Sequence, residues 1–222
     1  MRSEVHLIDC MEFMRSCKDK QFDLAVVDPP YGIGAENHAG NKDNGWTQWV
    51  KKDWDKTSPN YAYFEQLIRV SKNQIIFGAN HFIENIPDSN SPCWILWDKG
   101  QRDFSLADGE LAWTSFDSTL RIFTYARAKA LSEGKIHPTQ KPVALYDWIF
   151  RNYAKPNDTI LDTHMGSQSS RISAYKAGLD YTGCELDPEY FEQGNQRYEA
   201  FLKTYGTPDP DKAIKGQQIN LF

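Results

Sequence analysis

Apolar positions along this chain fall in short β-branched runs separated by amphipathic stretches. The runs at Val5–Asp9, Phe22–Asp28, Gln74–Gly78, Cys93–Trp97, Leu120–Tyr125, Thr159–Asp162 and Tyr181–Glu185 predict strands. Between them, helices are expected at about Met11–Ser16, Tyr61–Val70, Val143–Tyr153, Ser169–Ala177 and Pro188–Lys203. The last opens on Asp187-Pro188, a cap followed by a first-turn proline. This alternation predicts an α/β domain with a mostly parallel sheet and helices on both faces. Two stretches break it. Residues 32–59 are polar and glycine-rich and read as a mobile lid loop. Residues 99–136 are mixed and aromatic and read as a small insertion on the sheet. One domain over 1–204 with a flexible tail, 205–222, is the expected organisation.

Composition narrows the class. The 222 residues carry 25 Lys and Arg against 30 Asp and Glu, a formal charge of −5. An apolar fraction of 40% argues against a disordered chain. No run has the length of a membrane span, and the first residues lack an apolar signal core. The four cysteines have neither metal-ligand spacing nor a disulfide pattern. The expectation is a cytoplasmic protein without a metal. Its acidity argues mildly against a nucleic-acid partner.

Three segments carry candidate chemistry. Asp28-Pro29-Pro30-Tyr31 follows the apolar strand Leu24–Val27, where open α/β sheets bind ligands. The prolines lack N–H groups, so their carbonyls and the Asp28 carboxylate form acceptors suited to an exocyclic amine, with Tyr31 offering a face for stacking. An ordinary turn with a packing tyrosine gives the same four letters. The second segment runs from Asp162 through Ser170, a strand end, a glycine loop and a helix start. Gly166 allows close backbone approach, and Ser167 is a candidate cap. Glu185 lies 19 positions beyond Gly166, suited to accepting ribose hydroxyls, though a solvated carboxylate would look alike. The third, His137-Pro138-Thr139-Gln140-Lys141-Pro142, precedes a helix and reads as a rigid loop with a lysine near a helix N-terminus, fit for a carboxylate. A purely structural loop is the alternative. Pro142 is expected in the first helical turn.

Together the segments resemble the amino-DNA methyltransferases that use S-adenosylmethionine, in the permuted order where Asp-Pro-Pro-Tyr precedes the cofactor loop. The resemblance spans about residues 5–204 and implies a Rossmann-like methyltransferase sheet with residues 99–136 as a target-recognition insertion. It implies catalytic roles for Asp28, Pro29, Pro30 and Tyr31. It also implies cofactor contacts from Asp9, Cys10, Asp28, His137, Thr139, Lys141, Asp162, His164, Gly166, Ser167, Ser169, Glu185 and Leu186. Asp28 in place of a serine favours adenine N6 as acceptor. Cytosine N4, adenine in RNA and a catalytically silent DNA-binding module are the alternatives. Thr163-His164 departs from the family's Pro-Phe, and Gln168 from its glycine, which would set a side chain in the cofactor loop.

Double-stranded DNA is then the expected partner. Residues 99–141 hold 7 basic against 5 acidic residues, while residues 1–98 and 142–222 are each net negative. Lys99, Arg102, Arg121, Arg127, Lys129 and Lys135 are expected to meet DNA, helped by Lys42, Lys51, Lys52 and Lys56 from the lid. Trp46, Trp49 and Trp54 in that loop read as core packing or as groups that stack on bases. Residues Gln218–Phe222 resemble peptides that bind the bacterial sliding clamp, with a packed end as the alternative. So short a recognition region suggests either a short target or a homodimer.

Overall fold

The computed structural model describes residues 1–34, 55–102, 107–132 and 134–206. Eight strands form one sheet: β1 (Ser3–Leu7), β2 (Phe22–Val27), β3 (Ser71–Phe77), β4 (Trp94–Asp98), β5 (Gly109–Thr114), β6 (Arg121–Thr124), β7 (Thr159–Asp162) and β8 (Asp180–Glu185). Their order is β1-β8-β7-β2-β3-β5-β4-β6. Every neighbouring pair is parallel except the two made by β5, which runs against β3 and β4. The helices are α1 (Cys10–Ser16), α2 (Tyr61–Val70), α3 (Arg127–Ser132), α4 (Val143–Tyr153), α5 (Ser169–Lys176) and α6 (Pro188–Tyr205).

Alternation along the central strands builds two cores. Leu24 and Val26 of β2, Ile75 and Phe77 of β3 and Ala112 of β5 pack against Leu145, Ile149 and Phe150 of α4 and Ala174 of α5. Ala25, Val27, Ile76 and Trp113 face the other way, onto Phe64, Leu67 and Val70 of α2 and Met14 of α1. Strands covered on both faces read as near-continuous apolar runs, which is why β2 and β3 are plain in the sequence. Among the described residues, no helix is long and apolar enough to cross a membrane.

Several boundaries differ from the expectation. β1 ends at Leu7, and Asp9 is the N-cap of α1, its Oδ1 accepting from Met11 N at 2.9 Å and Glu12 N at 3.1 Å. Pro142 sits at the cap of α4 in extended geometry, not in its first turn. The largest correction concerns residues 99–136. They contribute β5 and β6 to the sheet itself; β6 falls on the expected strand at Leu120–Tyr125, while the unforeseen β5 lies third from the β6 edge, between β3 and β4. The β5 strand was hidden because its start, Gly109-Glu110, lacks apolar side chains and dilutes a short apolar run, and antiparallel insertion brings no helix to announce it. The helix α3 likewise follows without a predicted start.

After β3 the chain turns through Gly78, at φ +69°, into two short 3-10 turns. Here glycine is required twice over. A Cβ at Gly78 would lie 2.1 Å from the Tyr31 ring. Replacing Gly78 with Ala should therefore cost about 1–3 kcal/mol, from the left-handed backbone and the forced shift of Tyr31. Thermal unfolding would show it as a drop of several degrees; an unchanged midpoint would mean that Tyr31 does not pack there.

Candidate active site

The parallel strands β1, β8, β7 and β2 present their carboxyl ends side by side. Loops leaving those ends enclose a cavity of about 680 Å³, at the point where the chain winds outward in both directions. Asp9, Cys10, Asp28, His137, Thr139, Lys141, His164, Gly166, Ser167, Ser169, Glu185 and Leu186 border it. Asp162 does not. It is buried beneath the loop, its Oδ2 accepting from the Ser170 hydroxyl at 2.6 Å and its Oδ1 from the His164 N–H at 3.0 Å. Its work is to hold the loop.

Glu185 stands at the end of β8 with three backbone donors on its carboxylate. Oε2 accepts from Gly166 at 2.9 Å, and Oε1 from Leu186 at 3.0 Å and Asp187 at 2.9 Å. A carboxylate has about four acceptor positions, so capacity remains for a hydroxyl from the cavity. Burial pushes its pKa up, against the pull of those N–H groups. Beside it Leu186, 68% exposed, offers an apolar side chain at the rim. His137 packs edge-on against Tyr190, with ring centres 4.3 Å apart, and its Nδ1 accepts from the Thr139 N–H at 3.3 Å.

The loop itself departs from two expectations. Ser167 does not cap α5; the cap is Gln168, in the left-handed region at φ +59°. The Gln168 side chain does not enter the cavity. It turns to α6, where Nε2 donates to Asn195 Oδ1 at 3.1 Å and Oε1 accepts from Arg171 at 2.8 Å, and it packs on Gly194. Gly194 leaves the room on α6 that this side chain occupies, so the glutamine is absorbed by the scaffold.

On the other flank, the Thr163 hydroxyl lies 2.6 Å from Tyr63 OH and 2.9 Å from His164 Nδ1. His164 Nε2 is 4.0 Å from Cys10 Sγ. Burial lowers the His164 pKa to about 4 and raises the Cys10 thiol to about 12, so both groups are neutral near pH 7.

Asp28 anchors the opposite end of the cavity. Tyr31 OH donates to its Oδ1 at 2.7 Å, and Lys141 Nζ binds its Oδ2. Lys141 also donates to Tyr31 OH at 3.1 Å and pairs with Glu110 Oε2 at 3.2 Å, while Lys99 holds Glu110 Oε1 at 2.7 Å. Burial pushes the Asp28 carboxyl up against the attraction of Lys141. The two lysines hold Glu110 down at about 2, against burial. Lys141, between two carboxylates, is pushed up despite burial. Burial keeps the Tyr31 hydroxyl protonated, its pKa well above the ordinary value. The ring of Tyr31 lies on Gly78 and stacks on His81, with centres 5.2 Å apart. A base stacking on Tyr31 must therefore share that ring with His81.

A second cavity, about 510 Å³, lies beyond Thr139, Gln140 and Lys141, which border both. Its wall includes Tyr31, His81, Trp97, Glu110 and the cations Lys99, Arg127 and Lys135. Burial and the neighbouring Arg127 and Lys99 lower the Lys135 pKa to about 8.

Lys99, expected to meet DNA, is turned inward instead. Its side chain is 11% exposed and committed to Glu110, with Nζ 5.1 Å from the centre of the Trp97 ring. Lys141, expected at a ligand's carboxylate, is committed to Asp28 and Glu110. Arg102 is exposed but paired with Asp98 at 2.9 Å. Arg121 is half-buried on the edge strand β6, and Lys129 is exposed beside Tyr125. Lys42, Lys51, Lys52, Trp46, Trp49, Trp54 and Gln218–Phe222 lie outside the described residues. Glu110 escaped prediction altogether, because only the antiparallel strand brings it to Lys141. The one available signal was Lys141 itself, a cation in a proline-bound loop that needed a partner.

The family model described as DNA methylase, for N6 and N4 methyltransferases, matches residues 112–196. The Type II methyltransferase M1.MboII of Moraxella bovis is 26% identical, over 87% of this chain and 95% of that one. In the crystal structure of the M1.HpyAVI–SAM complex, the fold agrees with a TM-score of 0.57 at 20% identity, over 87% of this chain and 98% of that one. The PvuII DNA methyltransferase, cytosine-N4-specific, gives 0.59 at 13% identity over 92% of each chain. The fold is that of the Rossmann-like methyltransferase structures. In sequence, the chain is similar to DNA methyltransferases of the N6/N4 amino family over residues 112–196 and to the Moraxella enzyme over most of its length.

Asp162 gives a test of this geometry. Burial raises its pKa from 3.8 to about 7, so between those values the folded protein holds a proton that the unfolded chain has released. Stability from this group is full below about pH 4 and falls as pH rises through about 7. Asp162→Asn, which mimics the protonated form, removes that fall. The midpoint difference between variant and wild type in thermal unfolding should widen from pH 4 to 7. A difference independent of pH would show that Asp162 is not buried as described.

Proposed function

We propose that this chain transfers a methyl group from S-adenosylmethionine to N6 of an adenine turned out of duplex DNA. The observation that carries the reading is the position of Asp28: it borders the first cavity, and its two partners, Tyr31 and Lys141, border the second. Such a carboxylate can meet an amine on one side and a methyl donor on the other.

The first cavity fits the cofactor. Its volume lies within the range of small-molecule sites. Glu185, fixed by backbone donors, has acceptor capacity for a ribose hydroxyl, and Leu186 offers an apolar face to a flat ring. Asp9 follows β1, three strands from the β2 end that carries Asp28, and borders the same cavity as a further acceptor for the cofactor. When bound, S-adenosylmethionine supplies an already activated methyl on a sulfonium.

The rest of the chemistry belongs to the chain. Asp28 accepts an N–H of the target amine, and the carbonyls of the Pro29 and Pro30 region add acceptors without competing donors. Tyr31, held protonated, keeps Asp28 turned toward the amine. Burial raises the proton affinity of Asp28, which suits it to receive the proton shed by the methylated nitrogen. Most of the acceleration then comes from alignment and preorganised acceptors. The aspartate, rather than serine, is the feature that favours adenine over cytosine.

DNA enters from the side of the second cavity, whose aromatic and cationic wall suits an extruded nucleotide and its phosphates. Lys129 and Arg121 extend this face, and Lys42, Lys51 and Lys52 are assigned to it from sequence.

Asp28→Ala should abolish methyl incorporation into DNA while cofactor affinity, measured by calorimetry, stays within about twofold. Glu185→Ala should weaken that affinity about 10–100-fold, the value of one or two charge-assisted hydrogen bonds. Retained turnover in the first variant or unchanged affinity in the second would overturn the assignment.

Arg127→Ala and Lys135→Ala should each weaken DNA binding alike across sequences and reduce the slope of log affinity against log salt by about 1. An unchanged slope in binding titrations would remove these residues from the DNA face.

A further inference from the structure

In this structure both oxygens of the Asp28 carboxylate are taken, Oδ1 by the Tyr31 hydroxyl at 2.7 Å and Oδ2 by Lys141 Nζ. Each oxygen keeps a second lone pair, but an incoming amine N–H meets the full acceptor strength of Asp28 only where one of these donors withdraws. Tyr31 is poorly placed to leave, because its ring is wedged against Gly78 and stacked on His81. Lys141 sits on a flexible stem, but its side chain is only 3% exposed. Withdrawn from Asp28 with no other carboxylate in reach, it would be a bare buried cation, a strongly disfavoured state.

Glu110 removes that obstacle. Its Oε2 is already 3.2 Å from Lys141 Nζ, and its other oxygen is anchored by Lys99 at 2.7 Å. We propose that Glu110 is a positioning residue that takes over Lys141 from Asp28 when the target amine arrives. This inference rests on the methyltransferase reading above and deepens it. In the exchange, the hydrogen bond from Lys141 to Asp28 Oδ2 breaks, that to Glu110 shortens, and the amine N–H donates to the vacated oxygen. No covalent bond changes, and the buried lysine keeps a carboxylate throughout. The four charged groups come from four separate segments: Asp28 after β2, Lys99 after β4, Glu110 on β5 and Lys141 before α4. Two cations balance two anions, so Lys141 can shift between partners without changing the net charge of the cluster. Its contacts with the rings of Phe77, at 4.7 Å, and Tyr31, at 5.5 Å, line the short path between them.

The test uses the full chain with Glu110→Gln, Glu110→Asp and the double variant Glu110→Gln with Lys99→Met, which deletes buried charges as a pair and so protects folding. In Glu110→Gln, kcat for DNA methylation should fall about tenfold or more, while KM for DNA and the Kd of S-adenosylhomocysteine change less than about twofold. The double variant should show the same loss, since Lys141 still lacks a receiver, and Glu110→Asp should recover part of it. A second readout needs no turnover. In the ligand-free protein, carbon NMR of the Asp28 carboxyl should show its midpoint moving to lower pH in Glu110→Gln, because a repelling carboxylate is gone and Lys141 is left to Asp28 alone. An unchanged kcat, an equal loss in Glu110→Asp, or an unmoved Asp28 titration in a wild type that methylates DNA would overturn the role of Glu110 alone. A wild type that transfers no methyl group would overturn the methyltransferase reading and the role with it.

Discussion

The structure turns on keeping an ionisable carboxylate, Asp28, out of bulk water while leaving it able to accept a hydrogen bond. A buried carboxylate without partners is not sustained at neutral pH; it protonates or the site opens. Here Tyr31 and Lys141 satisfy it, and Lys141 in turn needs Glu110, which needs Lys99. Each partner constrains a different part of the fold. Tyr31 requires the missing side chain at Gly78. Lys141 requires the loop between α3 and α4 to cross above the sheet. Glu110 requires a strand between β3 and β4, and β5 fills that place by running antiparallel to both.

The Glu185 end of the cavity is built on the opposite principle. There the polar groups are fixed by backbone and by neutral hydroxyls more than by countercharge. Glu185 rests on three N–H groups, Asp162 on Ser170 and the His164 amide, and His164 on Thr163 and Tyr63. The result is a cradle held largely by neutral donors beside a charge-dense corner around Asp28. A cationic cofactor and a neutral amine would thus meet where the fixed charges are concentrated.

What the sequence made legible was local. Strands β2, β3, β7 and β8 announced themselves as apolar runs, and their ends carried Asp28, Asp162 and Glu185 because open α/β sheets bind ligands there. The segments of the cavity wall were named from motifs a few residues long. What stayed hidden depends on contacts far apart in sequence. Glu110 reaches Lys141 only through the antiparallel strand, and Lys99 is a surface lysine in the sequence but a buried counterion in the fold. Gln168 looked like an intruder in the cofactor loop, because nothing local reveals that Gly194 and Asn195 wait for it on α6. Asp162, expected at the ligand, lies one layer beneath it.

The acidic total is no measure of the second cavity's wall, because charge is sorted by place. Lys99 and Lys141 are spent on Asp28 and Glu110, and Arg127 and Lys135 border the same cavity. The central claim, methyl transfer to the amine that Asp28 holds, is tested most directly by isotope. Duplex DNA incubated with the protein and methyl-labelled S-adenosylmethionine is digested to nucleosides and analysed by mass spectrometry. Label is expected in N6-methyldeoxyadenosine. Label confined to N4-methylcytosine, or no label in DNA at all, would contradict it.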